Sequence, residues 1–149
     1  MARPRPLAFA RAQVATLLAA FESVLLLADP LLSWPSERSP LDKLRPAPAF
    51  VDTGLLGHWG LRLEPPVATG PAERRVDGRA VRTLSPGTLA VTGPDCASAG
   101  VGLVARCRIG GGMATVIADS DFLQPSPVEG ADAEANLALL LAELDRLEQ

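Results

Sequence analysis

The 149-residue sequence has no tyrosine, a single histidine (His58) and only two cysteines, Cys96 and Cys107. So few nitrogen and sulfur ligands exclude a structural zinc cluster, and two cysteines make no disulfide framework. A basic excess is missing as well: 14 lysines and arginines against 17 acids leave a net charge of −3. Nucleic-acid binding needs a basic face to displace counterions, so that class of partner is excluded. Arg74, Arg75, Arg79 and Arg82 cluster around a turn with acids nearby, the pattern of a solvated hairpin face. No apolar run reaches the roughly 20 residues of a membrane span. The basic start followed by Val24–Ala28 imitates a signal peptide. However, Arg11 and Gln13 interrupt it, Glu22 divides it, and Asp29-Pro30 stands where small residues belong, so no export signal is expected. With 48% apolar and 21% charged residues the chain is not a disordered one, and its length suits a single domain over 1–149. Many prolines and glycines predict short elements joined by many turns.

Apolar spacing supplies those elements. Val14, Leu17, Leu18 and Phe21 recur at i, i+3, i+4 and i+7, predicting a helix over Ala8–Glu22. Ser23–Ala28 is a continuous apolar run suited to a central parallel strand, ended by Asp29-Pro30. Leu31–Phe50 is proline-rich and irregular, a loop long enough to suggest a functional role. Val51–Trp59 reads as a short helix, with Asp52 or Thr53 as N-cap and Gly60 as its stop. Leu61–Glu64 alternates as a strand, Asp77-Gly78 is a hairpin turn between Arg74–Val76 and Arg79–Leu84, and Thr88–Val91 is a further short strand. Ser85–Gly100 is otherwise turn-rich, and Cys96 falls in a loop there. Spacing leaves open whether Cys96 pairs with Cys107, which is expected to pack as a small hydrophobe.

The segment from Val101 to Leu147 is the most informative. Leu103, Ala105, Cys107 and Ile109 alternate with Val104, Arg106 and Arg108 as in a half-buried strand. After Gly110-Gly111-Gly112 comes Met113–Ala118, apolar nearly throughout, like a strand covered on both faces. It ends at Asp119-Ser120-Asp121. A closing helix is predicted over Ala133–Leu147, with Leu137, Leu140, Leu141, Leu144 and Leu147 inward and Glu143, Asp145, Arg146 and Glu148 in water. These features predict an α/β fold, a mainly parallel sheet flanked by helices with a β-hairpin insertion. No strand precedes the first helix, so the chain is expected to be N-terminally incomplete.

Four ordered pieces carry a family resemblance: LLAAFESVLLLADP (17–30), GLLGHWGLRLE (54–64), GGGMATVIADSDFLQ (110–124) and ANLALLLAELDRL (135–147). Together they resemble the auxiliary extracytoplasmic domain of gliding-motility-type ABC transporters and its uncharacterised bacterial relatives. The resemblance covers most of the chain except residues 74–100. It implies a fold like class I glutamine amidotransferases (Rossmann-type), an envelope location and a protein partner in a membrane transport complex. It also implies that the chain is the C-terminal part of a longer domain. Glu22-Ser23 departs from the family pattern, occupying the place of its glycine-rich turn.

An amidotransferase-type nucleophile needs a cysteine on a sharp strand-to-helix turn and a histidine to take its proton. Cys96 has no helix after it, Cys107 lies mid-strand, and His58 sits at a helix end where it faces the last carbonyls. No catalytic residue, cofactor or metal is therefore assigned, and the expected role is a noncatalytic binding or interaction domain. If the strands ending at Ala28 and Ala118 are parallel neighbours, Asp29, Asp119 and Asp121 converge. They would then either cap turns, the preferred reading, or offer hard oxygen ligands to magnesium or calcium. The latter gives the alternative of a small metal-assisted hydrolase or transferase. Any ligand or partner surface is expected at Asp29, Asp119, Ser120 and Asp121. Trp34 and Trp59 are expected to pack in core or loop.

Overall fold

A computed structural model describes residues 23–33, 36–45, 47–123 and 133–149. The helix expected over Ala8–Glu22 and the side chain of Trp34 lie outside the described residues.

Strand β1 (Ser23–Leu27) runs parallel to β8 (Gly112–Ile117), register Leu25 to Thr115. β7 (Val104–Ile109) pairs antiparallel with β8 through the turn at Gly110-Gly111, and β6 (Cys96–Ala99) pairs antiparallel with β7. The resulting order is β1-β8-β7-β6. Two antiparallel pairs complete the strands: β2 (Leu61–Glu64) with β5 (Thr88–Val91), and β3 (Pro71–Val76) with β4 (Arg79–Leu84). The helices among the described residues are α1 (Leu55–Trp59) and α2 (Ala133–Leu147), with one 3-10 turn at Asp121–Leu123.

This corrects the expected fold class. The parallel neighbours Ser23–Leu27 and Gly112–Ile117 are as the apolar runs suggested, but theirs is the one parallel pairing among the described residues. Among the described residues the fold is mostly β, with mixed and antiparallel sheets and two α-helices, and not a helix-flanked, mainly parallel Rossmann-type sheet. Short strands closed by tight turns explain the difference. The hairpin β3–β4 turns through Asp77 (φ +49°) and Gly78 (φ +82°), the pair of positive angles of a type I′ turn. β6 enters β7 through Gly100-Val101-Gly102, all at positive φ. Such turns return a strand beside its predecessor, which makes pairs antiparallel.

β8 sits between two apolar clusters. Ala114, Val116 and the following Ala118 face Leu56, Trp59, Leu61, Leu89, Ala105 and Cys107. Ile117 faces the other way, toward Val76, Val81, Leu103, Val104, Phe122 and Leu139. The first cluster holds α1, whose N-cap is Gly54 and not Asp52 or Thr53; Asp52 Oδ1 instead accepts from the Gly54 N–H at 2.9 Å. Gly60 ends the helix at φ +85°, and a Cβ there would come within 2.9 Å of Gly93 Cα. Its carbonyl accepts from the N–H groups of Thr92 and Gly93, joining the end of α1 to the end of β5.

Helix α2 keeps its expected bounds but not its expected buried face. Asn136, Leu139 and Glu143 are buried, whereas Leu137, Leu141 and Leu144 are exposed. Polar partners decide this. The Asn136 side chain donates to the carbonyls of Arg82 and Phe122 and accepts from the Arg82 N–H, and Glu143 meets Arg106. Leu139 is the apolar residue of the inward face, 1% exposed. Leu139→Ala should therefore cost about 2–5 kcal/mol in denaturant melts. A loss under half a kcal/mol would show that α2 is not part of the core.

Candidate functional site

Where β1 and β8 end side by side, the chain delivers Asp29 and Asp119 one residue beyond Ala28 and Ala118, and the 3-10 turn adds Asp121. All three are buried, and each offers a carboxylate oxygen within 4.8 Å of the others. The sequence expectation that these aspartates converge is met in this geometry.

Each carboxylate is engaged by backbone N–H groups. Asp29 Oδ1 accepts from Leu31 and Oδ2 from Ser120, both at 2.8 Å. Asp119 Oδ1 accepts from Asp121 at 2.8 Å and Oδ2 from Leu84 at 3.0 Å. Ser33 donates to both oxygens of Asp121, at 3.2 and 3.0 Å. The cluster thus ties together the start of the proline-rich loop, the end of β4 and the turn after β8. Ser120 contributes its N–H. Among the described residues no buried side-chain nitrogen or oxygen lacks a partner.

Three buried carboxylates so close cannot all ionise freely. Burial pushes Asp119 up to about 8, and the nearby Asp29 and Asp121 charges add to this, against the pull of the Leu84 and Asp121 N–H groups. Asp121 is raised for the same first reason, burial, with Asp29 adding to it and the Ser33 N–H opposing it. The native state therefore holds a proton that an unfolded Asp119 releases above its ordinary value of 3.8. Since the folded form binds more protons in that window, stability is fullest at low pH and falls as pH rises toward about 8. Unfolding free energy should be at least about 1 kcal/mol larger at pH 5 than at pH 8. Asp119→Asn should flatten that slope whatever it does to the absolute level. A wild-type profile rising from pH 5 to 8 would refute the shared-proton picture.

Beside the aspartates lies a cavity of about 310 Å³ bounded by Leu27, Asp29, Leu32, Phe50, Val51 and Ser120. Phe50 is anchored there by its N–H, which donates to the Asp29 carbonyl at 2.7 Å. An adjacent cleft of about 540 Å³ runs past Pro30, Phe50, Gly57, Leu63 and Pro65.

A second charged centre lies on the other side of the sheet and corrects the placement of Glu143, which was expected in water. Arg106 in β7 grips Glu143 with Nε at 3.0 Å and Nη2 at 2.5 Å, and its Nη2 also reaches Asp77 at 2.6 Å. Arg146 adds a 2.9 Å contact to Asp77. The Arg106 hydrogen bond, with the charges of Arg106 and Arg146, holds Asp77 below the usual carboxylate range despite some desolvation. Arg106 in turn is raised, chiefly by Glu143. Both acids lie far from Arg106 in sequence, so no local spacing marked the pair. Arg106→Ala leaves Glu143 buried without its cation and should destabilise by about 3–5 kcal/mol. Adding Glu143→Leu to that variant should restore much of the loss; an additive double variant would show that the two do not act as a pair.

His58 is exposed in the last turn of α1, and Trp59 is buried in the core, as expected for both. The open question of the cysteines is resolved: Cys96 and Cys107 lie directly opposite in the β6–β7 register and form a disulfide. β6 itself was missed, because Cys-Ala-Ser-Ala has neither alternation nor bulk.

No family model matches the sequence, and no curated protein matches it. The chain resembles one solved structure, an exo-β-1,4-mannosidase, Op5Man5, from Opitutaceae bacterium strain TAV5, with a TM-score of 0.50 at 15% identity. The match covers 87% of this chain and 22% of that chain, so the fold corresponds to about a fifth of the larger protein. The expectation that the chain is not an enzyme is corrected here, because the fold it takes occurs within an enzyme. At this identity the likeness concerns the fold alone. Among the described residues no helix is long and apolar enough to cross a membrane.

Proposed function

We propose that this chain is a binding and interaction domain working as one module of a larger assembly, resembling the auxiliary component of an ABC-type envelope transport system. Its contact surface is the β1–β8 end, where the aspartates fix the loop around the Phe50 cavity. The observation that carries this reading is the use of all three carboxylates as backbone acceptors. They hold a shaped, mainly apolar rim in place, which suits recognition of a polypeptide. The coverage of about a fifth of a larger protein supports a modular role. The Cys96–Cys107 disulfide supports the envelope location, since disulfides persist in oxidising compartments.

The second reading, a metal-assisted hydrolase or transferase, is favoured by one observation: oxygens of Asp29, Asp119 and Asp121 lie within 4.8 Å of one another. Calorimetry with magnesium and calcium separates the two. No saturable binding is expected. Micromolar binding lost in both Asp29→Asn and Asp121→Asn would overturn the interaction reading in favour of the second. A photo-crosslinking residue at Val51, which is 72% exposed on the cavity rim, should capture a component of a membrane transport complex in the native host. Crosslinks confined to unrelated abundant proteins would count against it. Protein from that host should be two hydrogens lighter than the reduced chain; two alkylatable thiols would remove the argument for location.

A further inference from the structure

The β3–β4 hairpin is left with an excess of positive charge among the described residues. Residues 71–84 hold Arg74, Arg75, Arg79 and Arg82 against Glu73 and Asp77, within a chain of net charge −3. Asp77 is already engaged by Arg106 and Arg146. Glu73 meets Arg75 at 3.9 Å and Arg82 at 3.7 Å, but these arginines are 70% and 45% exposed, and such contacts contribute little. Arg74 and Arg79 meet no carboxylate among the described residues. Their guanidinium groups donate instead to the carbonyls of Glu73 and Ala138.

The same hairpin has an open edge. Asn136 accepts from the Arg82 N–H and donates to the Arg82 carbonyl, so both groups point away from β3. Residues opposite each other in an antiparallel pair either bond each other or both turn outward. Glu73, opposite Arg82, therefore turns its N–H and carbonyl out of β3, and so does Arg75, opposite Ala80. No strand pairs with that edge among the described residues. At one end it is limited by Pro71, which has no N–H. At the other stands the β6–β7 turn, where a Cβ on Gly100 would lie 3.4 Å from the Arg75 carbonyl oxygen.

We propose that the β3 edge is a docking surface for an acidic, extended segment of another protein, which adds to the hairpin as a further strand. Main-chain hydrogen bonds to Glu73 and Arg75 seat the segment. Its successive side chains fall on alternate faces, so two adjacent acids reach Arg74 on one face and Arg75 on the other. The residue opposite Glu73 must be uncharged or basic, since like charges directly opposite destabilise a strand pair. Nucleic acid offers phosphates but no strand to bond the open edge, and for that reason the occupant is a polypeptide. The surface shares no residue with the Phe50 cavity and holds whether or not that cavity binds a partner.

Fluorescence anisotropy on the full chain tests this, with a labelled peptide carrying two adjacent glutamates among threonines and valines. That peptide should bind at least tenfold more tightly than the same peptide with glutamines. Arg74→Ser and Arg75→Ser should each weaken binding about fivefold, and Arg79→Ser, on the far strand, less than twofold. Hydrogen exchange followed by NMR on the wild type gives a second measurement that needs no variant. Bound peptide should slow the amides of Glu73 and Arg75 at least tenfold and leave that of Arg74, already in the β3–β4 ladder, nearly unchanged. Three results would overturn the proposal: no preference for glutamate over glutamine, equal losses from Arg75→Ser and Arg79→Ser, or unslowed Glu73 and Arg75 amides. A single-stranded oligonucleotide that binds more tightly than the peptide and displaces it would overturn it in favour of nucleic acid. A wild-type dimer that excludes the peptide would overturn it in favour of a second copy.

Discussion

The architecture depends on β8 being covered on both faces from Ala114 onward. A strand apolar on both sides must be covered twice, and its two series of side chains recruit different parts of the chain. Ala114, Val116 and Ala118 gather α1, β2 and β5, while Ile117 gathers the hairpin β3–β4, the 3-10 turn and α2. The one polar side chain among these, Thr115, is buried beside Glu143, and that is where the second cover carries its charge. Two layers are thus built on one strand, and the elements on either side have little need to touch each other.

Both ends of that arrangement are closed by charge, in different ways. At the carboxyl end of β8, acids are satisfied by backbone amides, and burial pushes Asp119 upward. Across β7, acids are satisfied by guanidinium groups, and one aspartate at a hairpin turn receives two of them. The first solution is rigid, because backbone amides cannot move away independently. The second joins elements distant in sequence, fastening the tip of the β3–β4 hairpin to the last turn of α2.

Much of the element list was legible in the sequence. The alternation from Leu103 to Ile109, the glycine turn and the apolar run after it correspond to β7 and β8, and Asp77-Gly78 marks its hairpin. The convergence of the aspartates was legible too, since two parallel strands ending in Ala-Asp must place those residues together. Three things were not. The buried face of α2 follows Asn136 and Glu143, polar residues buried only because Arg82, Phe122 and Arg106 satisfy them from elsewhere. β6 is too short and small to show a period, and the disulfide exists because of its register with β7. The expectation of a mainly parallel sheet extended the β1–β8 relation to the other strands, but the tight turns of β3–β4, β6–β7 and β7–β8 permit only antiparallel return, and β2 and β5 pair antiparallel across the hairpin between them.

The contact between Gly60 and Gly93 carries a consequence for divergence. A Cβ on either residue would approach the Cα of the other to 2.9 or 3.0 Å, so the two positions are bound to each other in identity. They are not bound in separation. The β3–β4 hairpin lies in the interval between them, and the connection 65–69 that leads into it can be lengthened without disturbing the backbone contact. Descendants of this fold should therefore vary most in the length of that interval while keeping the glycine at each end of it. Such a bracket of fixed ends around an elastic middle can identify kinship where overall identity has decayed.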